Sequence, residues 1–507
     1  MTGPKPIPNV EDLNIQMWQN RHLTYQQPMV GMYRVWNQSG NDNLARYRAT
    51  TQTLQALMED ALAKGVRIRA YGGGWSMSKA PATEGWLIDT SALNLLFPVR
   101  ARSVHPNFAG RRDNLWLAQC GNSIAGLSNH LAPAQQSLQT SGASNGQSIA
   151  GAIATGTHGS AIDFGALQET VVGLHLVVAP DRHVWLERAS SPATVDTFSA
   201  QSLGAELVRD DELFNAALVS FGSFGLVHGV LVQAEPLFLL ECYRRQVPFQ
   251  DSFRQGIQAF DLDAMALPLA PQRPFHLDVL INPYDLDTGV FLTTMYKKPY
   301  TSDYHPPAAD GLAPGEELYG VLGRLLDVAP SLIPAAATKL ASLVYKPFEA
   351  QRGTLSQIFS ATTTVGKAAG VGVGVAVKDC IRVLDLILEI NRSQGPFPCL
   401  LAMRFVPRTQ ATMGFTRFER TCIIDIDGPY SNRTRSLFAR VWQALHDSGV
   451  SYSLHWGKVI GLSSLETHRL YVERVDQWIA ARHKLLSTTT LRNLFANQFL
   501  EELGLAQ

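Results

Sequence analysis

The chain has 507 residues, 46% hydrophobic and 17% charged, a globular composition with room for about two to four domains of roughly 150 residues. Lys plus Arg and Asp plus Glu both number 43, so no net field draws in nucleic acid or an anionic membrane, and neither is an expected partner. The five scattered cysteines, Cys120, Cys242, Cys380, Cys399 and Cys422, lack CxxC spacing, which argues against a disulfide framework or a zinc site and for reduced thiols in the cytoplasm.

The leader MTGPKPIPNVEDLN has no charged segment followed by an apolar core, so no signal peptide is expected. The most apolar stretch, 368–377, is about half as long as the ~20 residues that span a bilayer. Apolar residues at helical spacing predict a helix over 51–64, with Gly65 at its C-cap. Alternation over 66–71 then predicts a strand that runs straight into Gly72, Gly73 and Gly74. Short strands follow at 86–89 and 115–119, and a helix at 123–131. Residues 141–165 form a second glycine-rich stretch. A hairpin around Pro180 and Asp181 is expected over 171–187, a helix capped by Asp211 runs to Val219, and a strand covers 225–233.

From about Leu237 prolines become frequent. A strand over 275–281, an amphipathic helix over 377–391 and neighbouring strands at 400–407 and 421–427 are expected. These patterns give an α+β fold in two domains. Residues 1–236 would form the first and 237–450 the second, with a possible insertion at 290–390. Residues 451–507 would return to the first domain.

Small residues directly after a strand let backbone amides converge on an anion, and Gly72-Gly73-Gly74-Trp75-Ser76 meets that need. In the second loop Ser148 would cap a short helix whose free N–H groups favour an anion, and Thr155-Gly156-Thr157-His158-Gly159-Ser160 adds hydroxyls. Two such loops point to a phosphate-bearing cofactor. No G-x-G-x-x-G opens a βαβ unit and no P-loop is present. Gly370, Gly372 and Gly374 miss the required spacing and read as a close-packed strand or helix contact.

The stretch RIRAYGGGWSMS…WLIDTSALN, the run AGAIATGTHGS…FGALQETVVGLHLV and FGSFGLVHGVLV resemble the FAD domain of the vanillyl-alcohol oxidase/p-cresol methylhydroxylase (PCMH-type) flavoprotein family. The alditol oxidase and aldonolactone oxidase branch is the nearest look-alike, and His455-Trp456-Gly457-Lys458 is similar to an HWGK motif of that branch. The resemblance covers 50–235 well and 395–460 loosely, and leaves 290–390 unmatched.

The resemblance implies FAD in a PCMH-type domain beside a substrate domain built on an antiparallel sheet. It implies that Gly72, Gly73, Gly74, Trp75 and Ser76 wrap the pyrophosphate. Ser148, Thr155, Gly156, Thr157, His158, Gly159 and Ser160 would line pyrophosphate and flavin, Gly225 and Val227 the adenine end. Lys458 would sit by the isoalloxazine ring, where a cation stabilises the charge that reduction develops.

Two departures stand out. Many relatives carry a covalently flavinylated histidine where this chain has Trp75, and 141–165 holds no cysteine, so FAD is expected without a covalent bond. Polyol-oxidising relatives carry Glu-x-Arg where this chain has Ala402-Met403-Arg404, so Arg404 remains without its carboxylate. Asp425 or Asp427 stands where relatives place a histidine.

The expected reaction is oxidation of a small alcohol or lactone by hydride transfer to flavin N5, with His455 or Asp425 as base and O2 or another acceptor taking the electrons. A larger apolar or phenolic substrate is the alternative, followed by a flavin-binding protein without turnover. The sequence leaves oligomeric state open.

Overall fold

The computed structural model describes residues 7–307, 323–360 and 366–507. The first long helix, Asn43–Ala63, begins at Asp42, whose side chain accepts the Ala45 N–H at 2.7 Å. It starts two turns before the expected position, because only Leu44 and Tyr47 carry the apolar spacing there and the cap sets the boundary. A four-stranded sheet runs Val10–Asp12, Gly31–Val35, Trp86–Asp89, Ile68–Tyr71. The last three are mutually parallel, which aims the end of Ile68–Tyr71 and its glycine turn out of the sheet.

A six-stranded sheet follows, in the order Glu206–Arg209, Arg182–Glu187, Val171–Ala179, Leu226–Gln233, Leu115–Gln119, Leu96–Pro98. Its antiparallel pair Val171–Ala179 and Arg182–Glu187 is the expected hairpin. The helix Asp211–Leu218 is capped by Asp210 instead of the expected Asp211. The Asp210 carboxylate accepts the Leu213 N–H at 2.9 Å, while Asp211 accepts from Ser190 N.

The remaining large sheet has eight strands, every neighbouring pair antiparallel. Its order is Phe348–Gly353, Phe238–Gln246, Val290–Pro299, His276–Ile281, Leu400–Pro407, Arg420–Pro429, Ala368–Ala376, Tyr452–Leu454. Residues 290–390 thus supply strands inside this sheet as well as at its margin. The Gly370, Gly372, Gly374 series is a buried strand, Ala368–Ala376. The helix expected from 377 begins one turn later, at Cys380–Gln394, after a 3-10 turn.

The C-terminal helices are fastened to the N-terminal half. Trp478 Nε1 donates to Val219 O at 3.0 Å, Arg482 Nε to Ser223 O at 3.2 Å, and Arg69 Nη1 to Phe495 O at 2.9 Å. One apolar core runs through both halves, from Leu54 and Val177 to Ile424 and Trp478. Among the described residues no helix is long and apolar enough to cross a membrane.

Candidate active site

The two glycine-rich loops touch. A Cβ on Gly72 would overlap the Ser148 hydroxyl, and one on Gly73 would lie 2.7 Å from Trp75 Cδ1 and 2.9 Å from Gly146 O. Only glycine allows this approach. Ser148 caps the helix Ile149–Ala154 by accepting the Gly151 N–H at 3.3 Å. A third segment closes on the first loop, because Met77 N donates to Gly457 O at 2.8 Å and Ser78 Oγ to Trp456 O at 2.6 Å. The turn that bears Lys458 is therefore pinned to the glycine loop of the other half.

Between these segments and the large sheet lies a cavity of about 720 Å³, within the roughly 300–1,000 Å³ usual for ligand and cofactor sites. Gly72, Gly73, Gly74, Trp75, Ser76, Ser148, Thr155, Thr157, His158, Gly225, Val227, Arg404, Asp425, His455 and Lys458 all line it. Gly156, Gly159 and Ser160 are outside its lining. Gly156 turns the chain behind the short helix, Gly159 O meets His158 Nδ1 at 2.9 Å, and Ser160 Oγ bonds His276 Nδ1 at 3.0 Å in the core.

Trp75 follows the three glycines, and its buried Nε1–H has no partner among the described residues. The Arg21 guanidinium lies over its ring at 4.9 Å and His22 meets it edge-on. A cradle that only glycine permits, beside a buried donor without an acceptor, fits a diphosphate-bearing flavin nucleotide.

Opposite the loops, the sheet presents charged side chains on one face. Register sets Asp278 directly across from Arg404 and Ala402 across from Asp425. Arg404 pairs with Asp425 through Nη1, and its Nε lies 3.1 Å from Asp278. Lys458 Nζ donates to Asp425 at 2.7 Å and to Asp427 at 2.8 Å. Burial would raise the Asp425 carboxyl, but Lys458 and then Arg404 outweigh it and hold the group below the usual carboxylate range. Burial works to lower Lys458, and Asp425 and Asp427 reverse that, so the ammonium stays charged.

The glycine strand explains how the carboxylates fit. Gly370 pairs with Asp427 and Gly372 with Asp425. A Cβ on Gly370 would overlap the Asp427 carboxylate, and one on Gly372 would lie 3.0 Å from both Asp425 Oδ1 and His455 Cβ. Alternating glycines facing an Asp-x-Asp strand is the signal the sequence held for this pairing.

Two buried histidines complete the cluster. Burial lowers His158 to about 4 and His455 well below its ordinary value, so both rings are neutral. His455 Nδ1 accepts the Gly457 N–H at 2.9 Å, which leaves its proton on Nε2. His158 holds its proton at Nδ1 against Gly159 O, and its Nε2 lies 3.9 Å from Asp425 Oδ2. Among the described residues His455 spends its unprotonated nitrogen on the Gly457 N–H, whereas that of His158, Nε2, accepts no hydrogen bond.

Sequence reasoning missed three features here. Asp278 gives Arg404 a second carboxylate partner, and a lone acid in the apolar run FHLDVLI was its signal. Tyr345 and the helix Ile333–Val344 form part of the wall but lie in the unmatched stretch, where no motif marked them.

Residues 45–187 match the FAD binding domain family. A putative D-arabinono-1,4-lactone oxidase of Neurospora crassa is 26% identical over 47% of this chain and 38% of its own length. An L-gulono-1,4-lactone dehydrogenase of Mycobacterium tuberculosis is 29% identical over 41% of this chain and 42% of its own length. The chain thus spans well under half the length of these curated relatives. Among solved structures, cholesterol oxidase from B. sterolicum superposes with a TM-score of 0.70 at 14% identity, covering 99% of this chain and 98% of that one. A chitooligosaccharide oxidase gives 0.59 at 12% identity, with 94% and 93% covered. Residues 45–187 thus carry an FAD binding domain, set in a two-domain α+β fold shared with these oxidases.

Proposed function

We propose that the protein is an FAD-dependent oxidoreductase that oxidises a CH–OH group of a small molecule, with O2 or another acceptor as the final oxidant. The observation that carries this is the shared cavity, with the glycine-loop cradle on one wall and the Arg404, Asp425, Lys458 cluster on the other. Bound FAD would supply the acceptor for the hydride, which carries the two electrons of the oxidation. Residues 1–236 with 451–507 would hold it without a covalent bond, and 237–450 would supply the substrate wall.

Backbone amides of Gly72 to Ser76 and the end of the Ile149–Ala154 helix bind the pyrophosphate, and Trp75 Nε1 donates to an acceptor on the nucleotide. Lys458, kept charged by its carboxylates, offsets negative charge developing next to it. Arg404, fixed between Asp278 and Asp425, donates to the substrate oxygen. His158 Nε2 takes the hydroxyl proton, and Asp425 at 3.9 Å stabilises the imidazolium so formed. Asp425 itself is held ionised by two cations and is the weaker base. His455 keeps its one acceptor nitrogen on Gly457 N and acts by packing against Phe415 and His158.

The test is anaerobic mixing of the FAD-loaded protein with alcohols and lactones while flavin colour is followed. Loss of colour is expected with a CH–OH substrate, and Lys458→Ala should slow it by about 10²–10³, the usual loss for one preorganised charge-stabilising donor. An unchanged rate would remove Lys458 from the mechanism.

A further inference from the structure

We infer that the substrate of this site is an alcohol with an extended apolar body, seated between the sheet and the helix Ile333–Val344; this rests on the oxidoreductase reading above. The observation is the makeup of the wall beyond Arg404. From the helical side come Leu326, Ile333, Ala336, Ala337 and Leu340, all without a polar side-chain atom. From the sheet come Leu280, Leu400 and Ala402, which pack with Phe291 and Tyr345 into an apolar cluster separate from the main core.

The helix is oriented for this. Ile333 is fully buried and Ala337 and Ala341 nearly so, while Lys339 and Ser342 point away. Asn282 Nδ2 donates to Thr338 Oγ1 at 2.9 Å and anchors the helix from the outer side of that face. Alanine at 336 and 337 leaves width where larger residues would close the space. Among the described residues of this helical wall, Tyr345 carries the polar group, and it lies at the border with the charged cluster.

A polyol or sugar lactone placed here would bring hydroxyls against carbon, and each would leave water without gaining a partner. Ala402 extends the argument to the sheet, since its methyl presents only carbon to the cavity beside Arg404. An apolar body instead leaves one hydroxyl to the charged Arg404 end of the cavity. The chemistry is that of a long-chain or polycyclic alcohol.

The experiment is a titration of the FAD-loaded protein, without oxygen, using 1-butanol, 1-hexanol, 1-octanol, xylitol and L-gulono-1,4-lactone, read as perturbation of the flavin absorption bands. Binding should tighten roughly fourfold per methylene, the ratio given by ~0.8 kcal/mol for each buried CH₂. Ala337→Trp, which fills the seat, should weaken 1-octanol at least about tenfold and leave 1-butanol within about twofold. Ala336→Leu is the milder variant should the tryptophan fail to fold, with the same order of effects.

Affinity that is flat with chain length, or xylitol or lactone binding tighter than 1-octanol, would overturn the apolar seat while leaving the oxidoreductase reading intact. The opposite result separates the two as well. Tight, length-dependent binding of alcohols with no flavin reduction by any of them would support the seat and overturn the reaction.

Discussion

Lowering the pH from about 7.5 to about 5.5 should remove much of this protein's stability, and the cause is a set of histidines folded in the neutral state. His158, His175, His228, His276 and His455 are all buried. Burial lowers His158 to about 4, His228 and His276 to about 3, and His175 and His455 well below the ordinary value. Their partners explain why a second proton is excluded. Tyr47 OH donates to His175 Nδ1 at 2.7 Å, and His175 Nε2 meets His183 Nδ1 at 2.8 Å. His228 is held between Thr51 Oγ1 and Gln119 Nε2, both at 3.1 Å.

A histidine with a depressed folded pKa binds fewer protons folded than unfolded. Its full contribution is therefore present above the unfolded value of about 6.5 and declines as pH falls toward the folded value. One pH unit below 6.5, each such ring costs about 1.4 kcal/mol, so five cost about 7 kcal/mol. That is comparable with the whole stability of a typical domain, about 5–15 kcal/mol. The assay is urea unfolding of the FAD-loaded protein at several pH values, followed by tryptophan fluorescence. A loss smaller than about 2 kcal/mol across this window would refute the neutral-histidine argument.

Other expectations concern the cavity. Gly72→Ala drives a methyl into the Ser148 hydroxyl and should cut FAD affinity at least about tenfold (about 1.4 kcal/mol), read by equilibrium dialysis of the flavin; unchanged affinity would separate the two loops from cofactor binding. Trp75→Phe removes the unpartnered buried donor and should weaken FAD by about 1 kcal/mol, roughly fivefold, with no change in fold by circular dichroism. Acid precipitation of the wild-type protein should leave all flavin in the supernatant, because indole nitrogen is not a usable nucleophile; flavin in the pellet would contradict this. His158→Gln should slow flavin reduction and remove its pH dependence without altering FAD affinity, whereas His455→Gln should retain the pH dependence.

Local chemistry made much of this molecule readable. The Gly72 to Ser76 turn follows a strand of period two, and the Ser148 cap has a local backbone reason, whereas Gly159 and Ser160 of the THGS run turn away from the cavity. The strands Leu400–Pro407 and Arg420–Pro429 were likewise visible as apolar runs, and they are indeed neighbours. What stayed hidden depends on pairing across long separations. Asp278 meets Arg404 only because Asp278 to Ile281 and Leu401 to Arg404 share a register, which no local pattern encodes. The spaced glycines at 370 and 372 read as packing, and they are, but the atoms they make room for lie on a strand about fifty residues away. The Asp211 cap was displaced to Asp210 because adjacent acids give the same local signal and the Ser190 N–H decided between them.

Everything proposed for the site begins with FAD lying in the cradle where Gly72 and Gly73 meet Ser148 and Gly146. The most direct measurement is the ratio of FAD to protein after purification and incubation with added FAD, compared between wild type and Gly72→Ala. A yellow wild-type protein with FAD in equal amount, and a variant that loses it, is the predicted result. Wild-type protein that stays colourless in the presence of added FAD would contradict the account.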